Sequence, residues 1–241
     1  MSWRAGIHAV AAALAARRVR ALWISATSRN PRVWALAEEA AAQEIPVHKA
    51  PQETLDRLAR GIPHQGIVAE VLPPPRPDLR ALVKALAAET NPVVLALDGV
   101  TDPRNLGASA RSALAFGAQA LIVPKDRSAH PDHPAAAKAA AGALDLLPVV
   151  VVPNLVRALE ALREAGLWIV GLAGEAEATL YDAPLDQPCA IVAGSEDQGL
   201  RRLVRKRCDL LARIPMHPAA ESLNVAVAAS IALFEARRRR A

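Results

Sequence analysis

Leu97–Ala129 reads LDGVTDPRNLGASARSALAFGAQALIVPKDRSA. An apolar run ends at Asp98-Gly99 and a polar turn follows through Thr101, Asp102 and Pro103. A helix pattern then opens, and a second apolar run returns at ALIVP, residues 120–124. A strand, a polar turn, a helix and another buried strand in that order form the repeating unit of a parallel sheet.

Working outward, the runs VVLAL (93–97), PVVVV (148–152), LWIVGLA (167–173), CAIVA (189–193) and LLARI (210–214) continue the alternation with helix-like segments between them. The fold class is therefore α/β, a mostly parallel sheet with helices on both faces. Ligands of such sheets gather beyond the carboxyl ends of the strands. Three polar clusters fall there, at 98–111, 194–199 and 215–224.

Upstream, residues 6–16 and 31–42 have helical patterns, while ALWIS (21–25) and QGIVAEVL (65–72) read as strands. These pieces predict a small α/β domain over 1–72, near the lower size at which a domain folds alone. PPPRPD, residues 73–78, cannot continue a helix or strand and favours extended geometry. The predicted division is 1–72, a proline-rich linker and lead-in helix over 73–90, and a larger domain over 91–241.

The 241 residues carry 29 Lys and Arg against 24 Asp and Glu, a net charge of +5. The excess points to a polyanionic partner, and its bias to arginine suits phosphate and base contacts. Cys189 and Cys208 lack CxxC or Cys/His spacing, which gives no zinc signal, no disulfide framework and an expected reducing, cytoplasmic location. The opening residues read as a helix rather than a signal peptide, and no run is long enough to span a membrane. GxGxxG, GxxxxGK[ST] and GxSxG are absent, and the six histidines are scattered without ligand spacing, so no metal is expected.

Each polar cluster has two readings. Asn105 is placed to cap a helix on which Gly107 and Arg111 share a face, leaving room for a substrate under the guanidinium; alternatively this is a capped helix with a solvated arginine. Gly194, Glu196 and Gly199 put a carboxylate and close backbone approach at a strand end, or form an ordinary turn. In the third cluster Pro215 and Pro218 fix a loop and Ser222 can cap a helix with an apolar stripe at Val227, Ile231 and Phe234. Asn224 has no evident structural duty there. Arg237–Arg240 read as a solvated helix end that complements the helix dipole.

The three clusters, in this order, resemble the three motifs of the SpoU family of RNA ribose 2′-O-methyltransferases, within the trefoil-knotted SPOUT class. LDGVTDPRNLGASARSA with IVPKDRSA is most similar to the branch that methylates a guanosine ribose in the peptidyl-transferase P loop of 23S rRNA. GIHAV (6–10), HQGI (64–67), IVGLAGEA (169–176) and TLYD (179–182) extend the likeness over nearly the whole chain. The resemblance implies a knotted catalytic domain, an L30e-like RNA-binding amino-terminal domain, a homodimer, S-adenosyl-L-methionine as cofactor, and 23S rRNA or a large-subunit precursor as substrate.

It further implies a catalytic set of Arg111, Glu196, Ser222, Asn224 and Asn105, and a cofactor site around Gly194, Ile214 and Leu223 with Met216 and Ser195 nearby. A guanidinium only donates, so Arg111 is expected to orient phosphate and stabilise charge rather than take a proton. Ala226, Pro218 and Asp197 depart from the serine, glycine and glycine usual in that branch. Two alternatives accompany this reading: a tRNA ribose methyltransferase of the same family, and a non-catalytic RNA-binding assembly factor relying on Arg17, Arg18, Arg20 and the terminal arginines.

Overall fold

The computed structural model describes residues 2–72 and 76–240, so Pro73–Pro75 of the expected linker lie outside the described residues. The chain divides into two compact units, Met1–Pro75 with Ala141–Leu146, and Arg76–Ala140 with Leu147–Ala241.

The first unit runs β1 (Ser2–Ala5), α1 (Ile7–Ala15), β2 (Val19–Ser25), α2 (Pro31–Ala42), β3 (Val47–Ala50), α3 (Gln52–Ala59) and β4 (Ile67–Val71). Its sheet has the order β1-β4-β2-β3, with β2 and β3 parallel and β4 antiparallel to both its neighbours. One face packs Leu22, Ile24 and Ile67 against Val10 and Leu14 of α1 and Val33 and Leu36 of α2. The other packs Val68, Trp3 and Trp23 against Leu55 and Leu58 of α3. Asn30 caps α2 ahead of Pro31, the residue whose fixed φ suits a first helical position.

Arg18, expected among exposed RNA contacts in the assembly-factor alternative, is instead buried beside Asp145. Arg4 shares that carboxylate through Nε at 3.0 Å and an Nη at 3.1 Å. Both guanidinium groups thus bond one buried carboxylate, and Arg18 also donates to the Leu72 carbonyl at 3.0 Å.

The second unit continues with α4 (Leu79–Leu86), β5 (Val93–Asp98), α5 (Pro103–Ala115), β6 (Ala120–Pro124) and α6 (Pro134–Ala140). After α7 (Ala143–Leu146), which belongs to the first unit, it resumes with β7 (Val149–Val152), α8 (Leu155–Glu164), β8 (Trp168–Leu172), β9 (Ala178–Thr179) and β10 (Cys189–Gly194). It closes with α9 (Arg202–Arg205), β11 (Leu210–Arg213) and α10 (Val225–Arg238). All seven strands pair in parallel, in the order β7-β6-β5-β10-β8-β11-β9. Each of the six apolar runs read from sequence is one of these strands, because a strand covered on both faces has no polar alternation to show.

Val94, Ile122, Val150 and Ile169 face Leu82 and Leu86 of α4 and Leu155, Leu159 and Leu162 of α8. On α5 and α10, Leu106, Ala110, Ala229 and Leu233 are buried. The terminal arginines are only in part the solvated end expected: Arg237 and Arg238 are exposed, while Arg239 and Arg240 are half-buried. Arg238 and Arg239 bond Glu235, Arg239 donates to the carbonyls of Tyr181 and Ala183 at 2.7 and 2.9 Å, and Arg240 donates to the Gln187 carbonyl. Among the described residues no helix is long and apolar enough to cross a membrane.

Candidate active site

β5 and β10 are neighbours in the sheet, and their last residues, Asp98 and Gly194, lie opposite each other. Everything leaving those two strand ends therefore emerges at one place. Asp102, not Asn105, caps α5, accepting from the Arg104 amide at 2.8 Å. The helix begins earlier than the expected cap, so Asn105 sits in its first turn with its amide free to reach outward.

That amide reaches Glu196, to which its Nδ2 donates at 2.8 Å. Asn224 arrives from the far end of the chain. It, rather than Ser222, caps α10, its Oδ1 accepting from the amides of Ala226 and Val227 at 3.0 and 3.3 Å. Its Nδ2 donates to Asn105 Oδ1 at 3.0 Å and also to Glu196 Oε1, which in addition accepts the Val225 amide at 3.3 Å. Three residues from three separate strand ends thus form one polar triangle. Glu196 Oε1 takes all three donors, and Oε2 accepts none among the described residues.

Beside this triangle is a cavity of about 560 Å³. Its wall includes Gly194, Ser195, Ile214, Met216 and Leu223, the five residues expected around the cofactor, as well as Glu196 and Ser222. Leu172, Val225 and Ala228 add apolar surface, while Glu175, Arg205, Gln198 and Glu221 add polar groups that the sequence did not single out. Arg205 donates to Glu175 and holds that carboxyl below its usual range. Such a chamber, apolar within and acidic at Glu196 and Glu221, has the size and chemistry for a nucleoside bearing a positive charge.

Two glycines have duties other than those expected. A Cβ on Gly107 would lie 2.3 Å from the Ala136 carbonyl oxygen and 2.9 Å from the Ala140 nitrogen, so this glycine lets α6 pack directly on α5 rather than clearing space for a substrate. A Cβ on Gly194 would lie 2.1 Å from the Gly199 carbonyl carbon. What presses on Gly194 is the chain's own turn, closed by reciprocal bonds between Ser195 and Gly199 at 3.1 and 2.8 Å.

Arg111 stands exposed on α5, and the structure joins it to none of these groups: among the described residues its guanidinium has neither a hydrogen-bond acceptor nor an ion-pair partner. Ser222 is exposed in the irregular segment before α10. Asp98 and Arg201 were missed. The sequence signal was an acid closing a wholly apolar strand, since a carboxylate in that position needs a cationic partner.

The chain matches two family models, the SpoU rRNA Methylase family over residues 92–234 and RNA 2′-O ribose methyltransferase substrate binding over residues 5–77. It is 48% identical to the 23S rRNA (guanosine-2′-O-)-methyltransferase RlmB of Pseudomonas aeruginosa, an alignment spanning 98% of this chain and 95% of that protein. Among solved structures it is similar to the SpoU methyltransferase AviRb from Streptomyces viridochromogenes, with a TM-score of 0.82, 28% identity and coverage of 99% of this chain and 89% of that one. The same enzyme in complex with the cofactor AdoMet matches with a TM-score of 0.80 at 27% identity, over 99% of this chain and 89% of that one.

Proposed function

The chain belongs to the SpoU rRNA methylase family, and from that membership we propose that the cavity and polar triangle at the ends of β5 and β10 methylate the ribose 2′-hydroxyl of a guanosine in 23S rRNA. The protein is an S-adenosylmethionine-dependent RNA 2′-O-methyltransferase. The observation that carries the site assignment is the meeting of Asn105 and Asn224 on Glu196, which itself lines the cavity together with Gly194, Ser195, Ile214, Met216 and Leu223.

S-adenosylmethionine supplies a methyl group already activated on a positively charged sulfur. The chain's part is then to hold the ribose in line and assist its poorly acidic hydroxyl. Ile214, Met216 and Leu223 would give apolar contact to the cofactor, and Gly194 and Ser195 would close the cavity wall beside it. Glu196, fixed through Oε1 by three donors, keeps Oε2 to accept from the substrate side. Asn105 and Asn224 hold that carboxylate in register, and Ser222 contributes a hydroxyl at the rim. Arg111, unengaged on α5, contacts the ribose or its neighbouring phosphate and stabilises developing negative charge.

The L30e-like amino-terminal unit supplies further RNA contacts, and the substrate is 23S rRNA or a large-subunit precursor in the cytoplasm. Two copies pair through the catalytic unit. This reading is supported by Val227 and Phe234, which share one face of α10 and stay 46% and 53% exposed, with Phe116 of α5 edge-on to Phe234 at 5.7 Å.

The test is methyl transfer from labelled S-adenosylmethionine to unmodified 23S rRNA and to tRNA side by side, with mapping of the modified ribose. Label is expected on a 23S guanosine. Arg111→Ala is expected to lower turnover about a hundredfold or more while keeping most RNA affinity, because other basic groups carry the phosphate contacts. Normal methylation by that variant would remove Arg111 from the site; label on tRNA alone would replace the substrate.

A further inference from the structure

The carboxyl ends of β1, β2 and β3 and the start of β4 share one edge of the small sheet. Ala5 lies opposite Val68, Ile24 opposite Ile67, and Ser25 opposite Ala50. The loops there are tied together: the Ser25 amide donates to the Gly66 carbonyl at 2.9 Å, and the Ile7 amide to Gln65 Oε1 at 3.1 Å. Between α3 and segment 60–66 they leave a cavity of about 520 Å³ lined by Gln52, Asp56, Ile62, Pro63, His64 and Gln65.

This cavity is a built feature. Gln65, in its wall, holds φ of 53°, a backbone that side-chain-bearing residues rarely adopt, while Arg60 at 51° ends α3 as its left-handed cap. His64, 5% exposed, accepts the Gly66 amide on Nδ1 at 3.0 Å, which leaves its ring proton on Nε2. That nitrogen lies 3.0 Å from Asp56 Oδ1 and 3.3 Å from the Gln52 amide group. The histidine is thus a buried strut that fixes the Asp56 carboxylate, whose side chain is 65% exposed and whose Oδ2 accepts nothing among the described residues.

Arg57, next to Asp56 in α3, and Arg60, the residue that caps the end of that helix, are exposed, and among the described residues neither has an ion-pair or side-chain hydrogen-bond partner. A carboxylate amid free arginines is poorly suited to phosphate. It suits a ligand that presents hydrogen-bond donors between its own anionic groups.

We propose that this cavity receives the Watson–Crick edge of an unpaired guanine in the RNA substrate, with the arginines on the flanking phosphates. Guanine is the base that offers two adjacent donors, N1–H and the N2 amine, to one carboxylate. The amides of Gln52 and Gln65 provide a donor for its O6, and Ile62 and Pro63 an apolar wall for the ring. Recognition of splayed bases beside arginine-bound phosphates is the usual way single-stranded RNA is read. The proposal rests on the RNA methyltransferase reading and adds a base-selective site remote in sequence from the catalytic motifs.

The test uses the full-length protein and fluorescently labelled uridine octamers with guanosine, inosine, adenosine or uridine at one central position. Anisotropy titrations are expected to favour guanosine over the other three roughly tenfold. Inosine lacks only the N2 amine, so its loss isolates the second donor. Asp56→Asn is expected to bring guanosine down to the level of inosine and leave the all-uridine octamer unchanged. Arg57→Gln and Arg60→Gln are expected to weaken all four octamers alike and to flatten the salt dependence by roughly 0.7 each.

Equal binding of the four octamers by the wild type, or no measurable binding, would overturn the proposal. So would an Asp56→Asn variant that tightens all four, the result expected if Asp56 merely repelled phosphate. A protein that selects the guanosine octamer but transfers no methyl group to 23S rRNA would remove the enzymatic reading alone. One that methylates 23S rRNA and treats the octamers alike would remove the base pocket alone.

Discussion

Asp98 and Arg201 are joined by two hydrogen bonds: Oδ2 of the carboxylate accepts the Arg201 backbone N–H at 2.8 Å and Oδ1 accepts its Nε at 2.6 Å. The Asp98 side chain is fully buried at the end of β5, and Arg201 immediately follows the turn that carries Glu196. The pair therefore pins the far end of that turn to the strand from which α5 departs. Asp98→Ala would leave both donors without their acceptor and release the turn. It is expected to lower unfolding stability by about 2–4 kcal/mol and to reduce methyl transfer more than RNA affinity. Urea titration and single-turnover kinetics check this; an unchanged unfolding midpoint would show that the clamp is dispensable.

Asp145 is the shared carboxylate of Arg4 and Arg18, and all three residues are buried. Removing it takes away the buried carboxylate that both guanidinium groups bond. Asp145→Ala is expected to cost about 3–5 kcal/mol, with Asp145→Asn intermediate because it keeps an acceptor but not the charge. Equilibrium unfolding followed by tryptophan fluorescence measures it, since Trp3 is next to Arg4 in β1 and packs on Trp23 at 5.1 Å.

The buried strands of the large sheet were legible because Val94, Leu95, Ala96 and Leu97 have no exposed side to mark with polar residues. β1 and β3 were not: SWRA and VHKA are edge strands of four residues, too short and too polar to signal themselves. Arg4 is buried only because Asp145 answers it from 141 residues away, which no local pattern contains. The caps failed for a related reason. Asn105 and Ser222 have suitable side chains, but a cap is fixed by where the backbone turns, and Asp102 and Asn224 occupy those places. Asn105 was read from its spacing as a cap, and its bond to Glu196 depends on β5 and β10 being neighbours, which local spacing does not contain. Ile214, Met216 and Leu223 of the cavity wall were named through family resemblance alone, because the wall gathers single residues from several loops and leaves no periodicity.

Glu235 gives the fold a pH dependence. Hydrogen bonds from Arg238, the larger influence, and from Arg239 hold its carboxyl at about 2, against an ordinary 4.5. A carboxyl whose folded value is depressed stabilises the protein fully above its unfolded value and loses that contribution as pH falls through the folded value. The contribution is therefore present above pH 4.5 and declines between 4.5 and 2. Glu235→Gln is expected to be less stable than the wild type at neutral pH and to lose less on acidification through that window. Because Arg239 also holds the carbonyls of Tyr181 and Ala183, the variant should show faster amide exchange around residues 180–183. Parallel loss of melting temperature in both proteins from pH 5 to 2 would contradict the assignment.

Gly107→Ala distinguishes two duties for one residue. On an open helix face the change would add roughly 1 kcal/mol of stability, because alanine favours the helix and restricts the unfolded chain. Here the added methyl would sit 2.3 Å from the Ala136 carbonyl oxygen and 2.8 Å from the Ala139 Cβ. The obstacle is largely backbone, which cannot swing aside, so α6 must move off α5. Overpacking of that kind costs about 1–3 kcal/mol and outweighs the propensity gain. The variant is expected to melt lower while its KM for RNA stays near the wild-type value in the folded fraction. A stable protein with a raised KM would instead return Gly107 to the substrate side of the helix.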